Sequence, residues 1–205
     1  MKISLSKLLN IAIFLPILIL FGVGGYYFYK NFKTYQKFQE SKKYIELTKK
    51  LEKILIALGE ERGSSAIYFV SKGQYPKSKL IVKTKRANMS AAIKELKEFV
   101  DKNPKYYKDV KPILYLTNKL PVIRKQIDSF KNITFKDWFF NYYTVLETQI
   151  TNTMNKLTKK FPTQIALLYK EKLPYEKITA YTGILRGMGS YYITCLLYTS
   201  PSPRD

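Results

Sequence analysis

The sequence predicts an all-α protein: an N-terminal transmembrane helix, then an antiparallel helical bundle. Three observations carry this expectation. Apolar residues recur at helical spacing through most of the chain, and strand-like alternation is nowhere sustained. Breakers divide the body into four helices of about 25 residues joined by short turns, the pattern of antiparallel neighbours. One charge-free run of 22 residues, Leu8 to Tyr29, lies near the N-terminus and is long enough to cross a bilayer.

The elements follow in order. Leu8 to Tyr29 ends in Tyr26, Tyr27 and Tyr29, as an interfacial aromatic belt does, and Lys30 and Lys33 close it. A secretory signal has a shorter apolar core and a small-residue cleavage site, and none follows here, so the run reads as an uncleaved anchor over residues 1–30. Lys30 to Gly73 reads as one long helix continuing out of the membrane, ended by Gln74-Tyr75-Pro76. Ser78 to Lys102 is a second helix, with Leu80, Ile81, Met89, Ile93, Leu96 and Val100 as apolar positions and Asn103-Pro104 as its stop. Lys105 to Lys131 is a third, bent or segmented by Pro112 and Pro121. Thr134 with Asp137 makes an N-terminal cap for a fourth helix, Phe135 to Phe161. Its aromatics Trp138, Phe139, Phe140, Tyr142 and Tyr143 read as bundle core. Pro162 and Pro174 set off a short helix, and Tyr175 to Thr194 is the last. The expected organisation is an anchor over 1–30, a helical bundle over 31–161 and further helix over 162–194, which the family resemblance given below implies is the start of a second, truncated bundle.

The tail, Cys195 to Asp205, changes composition abruptly. It resembles the translation of a sequencing-adapter remnant; the other reading is a genuine disordered tail. On the first reading the single cysteine is foreign to the chain and the second bundle is incomplete.

The stretch that organises the body is Leu51 to Gly73. Leu51, Leu55, Leu58, Arg62, Ser65 and Phe69 fall on one stripe of an amphipathic helix. An arginine therefore stands where the pattern asks for a leucine, among the small residues Gly63, Ser64, Ser65 and Ala66. A guanidinium does not lose its charge, and burying it unpaired is costly. Two partners are open for Arg62: a small anion, or a carboxylate of the chain such as Glu147. A weak internal repeat, Arg186-Gly187 leading to Tyr192-Ile193 as Arg62-Gly63 leads to Tyr68-Phe69, marks Arg186 for the same choice.

Composition narrows the function. The net charge of +21 suggests nucleic acid or an anionic membrane, but the basic residues are mostly lysines spread over every segment, as on solvated helix faces. No nucleic-acid motif accompanies them. With no histidine and one cysteine, zinc, haem and Ser–His–Asp chemistry lack their ligands, and no phosphate loop or dinucleotide fingerprint occurs. The expectation is a chain with no enzyme activity of its own and no cofactor or metal.

The runs EERGSSAIYFVSKG and LIVKTKRANMSAAIKEL, over Leu51 to Leu96, resemble the nitrate- and nitrite-sensing domain family. Its first helix carries an ERG-small-small-aromatic run and its second an arginine, matched by Arg86; where an acid often follows, this chain has Asn88. The resemblance implies two packed four-helix bundles in a receptor, with arginines from both halves meeting a nitrate or nitrite ion. Carried onto this chain, it marks Arg62 and, more loosely, Arg186, with Gly63 and Ser65 as small neighbours that let backbone or hydroxyl groups approach. It also implies a homodimer and a sensor body on the periplasmic side of the inner membrane, although the lysines beyond the anchor argue for the cytoplasm. The output domain, a methyl-accepting, kinase or cyclic-dinucleotide module, lies outside this sequence. The competing expectation is an anchored helical protein that binds a protein partner or anionic lipid through its lysines.

Overall fold

A computed structural model describes residues 5–199; Ser200 to Asp205 of the predicted tail lie outside the described residues. The described residues are helices joined by turns: α1 (Leu5–Val70), α2 (Ser78–Lys102), α3 (Tyr107–Ser129), α4 (Phe135–Trp138), a π-helical segment (Phe139–Thr144), α5 (Val145–Thr158) and α6 (Thr163–Thr199). A single 3₁₀ turn, Pro104–Tyr106, leads into α3. The chain divides into two units, residues 1–43 and 44–205.

The first unit is the N-terminal part of α1. It is long and apolar enough to cross a membrane, it contains Pro16 within the helix, and its large apolar side chains, from Leu9 to Phe28, are exposed.

The second unit is an antiparallel bundle, and its side-chain pairs give the directions. Along α1 and α2, Lys53 meets Glu95 and Glu60 meets Lys85, so one chain number rises as the other falls. Lys97–Asn118 and Arg86–Asp128 show the same for α2 and α3. Phe69–Trp138, Arg62–Glu147 and Tyr44–Lys160 show it for α1 and the α4–α5 arm. The pairs Glu52–Lys172 and Arg62–Gly183 rise together, so α6 runs parallel to α1. Helix α1 therefore touches α2, α3, the α4–α5 arm and α6. Its predicted stripe is turned inward: Leu51, Leu58, Arg62 and Ser65 are buried, and Leu55 and Phe69 are half-buried.

Several boundaries depart from the sequence reading, each for a local reason. Helix α1 closes in a Schellman motif: the Gly73 N–H donates to Tyr68 O at 3.0 Å and the Lys72 N–H to Phe69 O at 3.2 Å. Lys72 takes the left-handed conformation there, with φ 47, and the helix stops before Gln74. In α2, Leu80 and Ile81 are exposed and Val82 is buried instead. Val82, Met89, Ile93, Leu96 and Val100 keep steps of seven, four, three and four, which Leu80 and Ile81 do not share. Helix α3 runs through both Pro112 and Pro121, and α6 runs through Pro174, so that proline does not split the last helix. Helix α6 also continues past Cys195 to Thr199, where the pattern was read as ending at Thr194.

The predicted fourth helix is interrupted by the π segment. Its capping box is present: the Asp137 N–H donates to Thr134 Oγ1 at 3.2 Å, and the Thr134 N–H to Asp137 Oδ2 at 3.0 Å. Trp138, Tyr142, Leu146 and Ile150 are all buried, four residues apart. In an α-helix each step of four overshoots a full turn by about 40°. The wider π turn takes up that drift and holds the row on the core side.

Leu51 is fully buried at the heart of α1. Leu51→Ala is expected to cost roughly 2–5 kcal/mol, a transfer loss plus a cavity. Urea unfolding followed by circular dichroism checks it through a lowered midpoint with an unchanged slope.

Candidate functional site

Two neighbouring residues of α1, Glu61 and Arg62, carry opposite buried charges and face different helices. Successive residues on a helix point about 100° apart, so the two do not meet each other. Each is neutralised across the bundle instead.

Glu61 is held by α3. Arg124 Nε donates to Glu61 Oε1 at 2.7 Å and Arg124 Nη2 to Oε2 at 2.6 Å, a two-pronged pair. The Tyr143 hydroxyl donates to Glu61 Oε1 at 2.6 Å. Arg124 is further occupied by Ser90 Oγ and by the Arg86 carbonyl. Burial opposes the Arg124 charge, but the Glu61 hydrogen bonds and charge outweigh it and hold the guanidinium more firmly protonated. Burial, and then Glu61, push the Tyr143 phenol well above its usual value.

Arg62 faces α5 and is 2% exposed. Its Nη1 donates to Glu147 Oε2 at 2.5 Å and its Nη2 to Oε1 at 3.5 Å. Nη1 also approaches Thr144 Oγ1 at 3.4 Å. The guanidinium lies over the Phe139 ring, 5.1 Å from its centre. The π segment thus supplies both Phe139 and Thr144, and Glu147 follows one turn later. Helix α6 comes in close through two glycines. A Cβ built on Gly183 would lie 3.7 Å from Arg62 Nη2, and one on Gly187 would lie 2.8 Å from Phe139 Cζ. Only a glycine leaves that second approach unstrained.

A cavity of about 440 Å³ opens beside the Arg62–Glu147 pair, between α1, α5 and α6. Arg186 lines it with Arg62, Glu147 and Lys172. Lys172 is paired with Glu52 at 2.8 Å, whereas Arg186 is exposed and has no carboxylate partner among the described residues. The two arginines marked in the sequence therefore share one cavity. Gly63 and Ser65 do not line it. A Cβ on Gly63 would meet nothing within 4 Å, and the buried Ser65 hydroxyl has no protein partner.

The Arg62–Glu147 pair is the internal partner left open at the level of sequence. The Glu61–Arg124–Tyr143 cluster was not anticipated, though a signal existed. Ile54, Ala57, Glu61 and Tyr68 form a second buried stripe of α1, so an acid stands in a core position as plainly as the arginine does. Gly183 gave no signal apart from its small size.

The nitrate and nitrite sensing family matches residues 53–194 of the chain. No curated protein and no solved structure matched. The match spans well over half of the 205 residues, and the chain belongs to this family.

Two substitutions test the site's construction. Glu61→Ala leaves the half-buried Arg124 charge without its carboxylate and is expected to lower stability by roughly 1–3 kcal/mol, read as a fall in the thermal midpoint. Among the glycines, Gly63→Ala is expected to raise stability by about 0.5–1 kcal/mol through helix propensity. Gly187→Ala displaces Phe139, and that overpacking costs roughly 1–3 kcal/mol, offsetting any such gain. Paired thermal melts separate the two.

Proposed function

We propose that this member of the nitrate and nitrite sensing family is the input region of a membrane-anchored receptor. In this reading nitrate or nitrite enters the cavity between α1, α5 and α6 and is held by Arg62 and Arg186. The observation that carries it is the shared cavity: two arginines far apart in the chain line one space, in a protein whose cations are otherwise almost all lysines.

The chemistry supports the choice of residue. Nitrate is small, planar and monovalent, with only acceptor oxygens. A guanidinium donates two parallel hydrogen bonds to two of those oxygens, which an ammonium does less well. Arg186 brings a positive charge with no ion-pair partner among the described residues, while the acids Glu52 and Glu60 on the same cavity are paired with Lys172 and Lys85. The cavity holds on the order of a dozen waters, room for the ion with part of its hydration. Gly63 and Ser65 belong to the same reading only as small neighbours of Arg62 on α1; neither lines the cavity.

A sensing family is not a catalytic one, and the domain acts by binding. The ion shifts the bundle between two packings only by its differential affinity for them. The reading includes a periplasmic sensor body, a homodimeric receptor and an output module joined to it.

Calorimetric titration of the full chain in detergent micelles with potassium nitrate, nitrite and chloride, at fixed ionic strength, tests this. Saturable heat with nitrate or nitrite but not chloride is expected. Arg186→Lys should weaken it about tenfold or more, the loss of one charge-assisted hydrogen bond of the fork. Heat that chloride reproduces, or none with any of the three, overturns the reading.

A further inference from the structure

Two buried acid–arginine pairs begin on adjacent residues of α1, and they are built differently. Glu61 receives three hydrogen bonds, from Arg124 Nε, Arg124 Nη2 and Tyr143, all between 2.6 and 2.7 Å. Arg124 in turn bonds Ser90 and the Arg86 carbonyl. That pair is closed on every side. The Arg62–Glu147 pair is lopsided: one contact of 2.5 Å and one of 3.5 Å. Among the described residues the Glu147 carboxylate accepts from no side chain other than Arg62, and both residues line the cavity.

We infer that Glu147 is an internal stand-in for the ligand: its carboxylate occupies Arg62 until an incoming planar anion displaces it. This inference rests on the reading of the cavity as a nitrate or nitrite site and adds how that site is regulated. A carboxylate and a nitrate ion offer the same thing to a guanidinium, two oxygens side by side on a planar centre with delocalised negative charge. Arg62 is too deeply buried to stand unpaired, so one anion must leave as the other arrives. The exchange keeps the guanidinium neutralised throughout. The released carboxylate faces a water-sized space that Arg186 and Lys172 also line, so its displacement does not strand it in an apolar core. The glutamate thereby sets both the threshold and the selectivity. An anion that cannot engage the fork as a carboxylate does, such as chloride, gains nothing by competing.

The exchange also has a mechanical consequence. The Arg62–Glu147 bond ties α1 to α5 directly, whereas a free ion ties only to Arg62 and Arg186. Ligand binding therefore trades an α1–α5 link for an α1–α6 link. The sole tryptophan, Trp138, packs against Phe139 and Tyr143 in the same arm and reports on the change.

The test is calorimetry and tryptophan fluorescence of the full chain in micelles, titrated with potassium nitrate against potassium chloride at fixed ionic strength. The parent is compared with Glu147→Gln, which keeps shape and a carbonyl oxygen for Arg62 but loses the charge, and with Glu147→Asp, which keeps the charge on a shorter stem. Circular dichroism in chloride verifies that each variant is helical. The expected result is nitrate affinity at least tenfold higher in Glu147→Gln and intermediate in Glu147→Asp. Emission of the nitrate-free Glu147→Gln protein should move toward that of the nitrate-bound parent. A parent that binds nitrate as tightly as, or more tightly than, a folded Glu147→Gln variant overturns it and leaves the nitrate site standing. Should Glu147→Gln not fold, an Asp variant no tighter than the parent overturns it likewise. Absence of nitrate binding in every folded protein overturns the underlying reading together with this one.

Discussion

A guanidinium keeps its charge wherever the fold puts it, and this fold buries Arg62. Everything around that residue follows from the need to meet the charge. Glu147 must come from a helix antiparallel to α1, at a height set by the α4–α5 arm. The arm must keep Phe139, Thr144 and Glu147 on one side, and the π segment keeps the register over that length. Helix α6 must leave space for the guanidinium and for the ring beneath it, which it does through Gly183 and Gly187. Leaving such a charge unpaired costs roughly 3–5 kcal/mol, a large fraction of the stability of a domain this size.

The residue before it shows the same constraint answered for a different end. Glu61 is buried as deeply, yet its carboxylate is met by three short hydrogen bonds. One pair holds α1 to α3 and to Tyr143. The other holds α1 to α5 beside a cavity that a second arginine also lines. In the proposed exchange, a fixed joint and an exchangeable joint on consecutive residues would let one helix be anchored on one side and adjustable on the other. Such an arrangement suits a sensing family, in which a bound ion has to alter packing without unfolding the bundle.

Much of the fold was legible because helical periodicity and turn chemistry are local. The bounds of Ser78 to Lys102 and the Thr134–Asp137 cap were readable from residue types a few positions apart. The failures were local rules overruled by packing. Pro174 sits within α6, and Leu80 and Ile81 face outward although they are apolar. The π segment had no readable signature, since its cause is the match between a row of four-residue steps and the core it faces.

The sequence by itself determined that the protein is helical, that its N-terminal run suits a membrane, and that a permanent charge at position 62 stands in a core stripe in need of an anion. It did so because composition, spacing and ionisation are properties of the chain. Which anion neutralises Arg62 was left open between a ligand and Glu147, residues 85 apart in the chain. Only the tertiary structure put Glu147 on Arg62, by bringing α5 against α1 antiparallel. It alone also put Arg186 on the same cavity as Arg62 and gave Glu61 its own arginine from α3. Distances between elements are set by how whole helices pack, and no spacing within one helix encodes them.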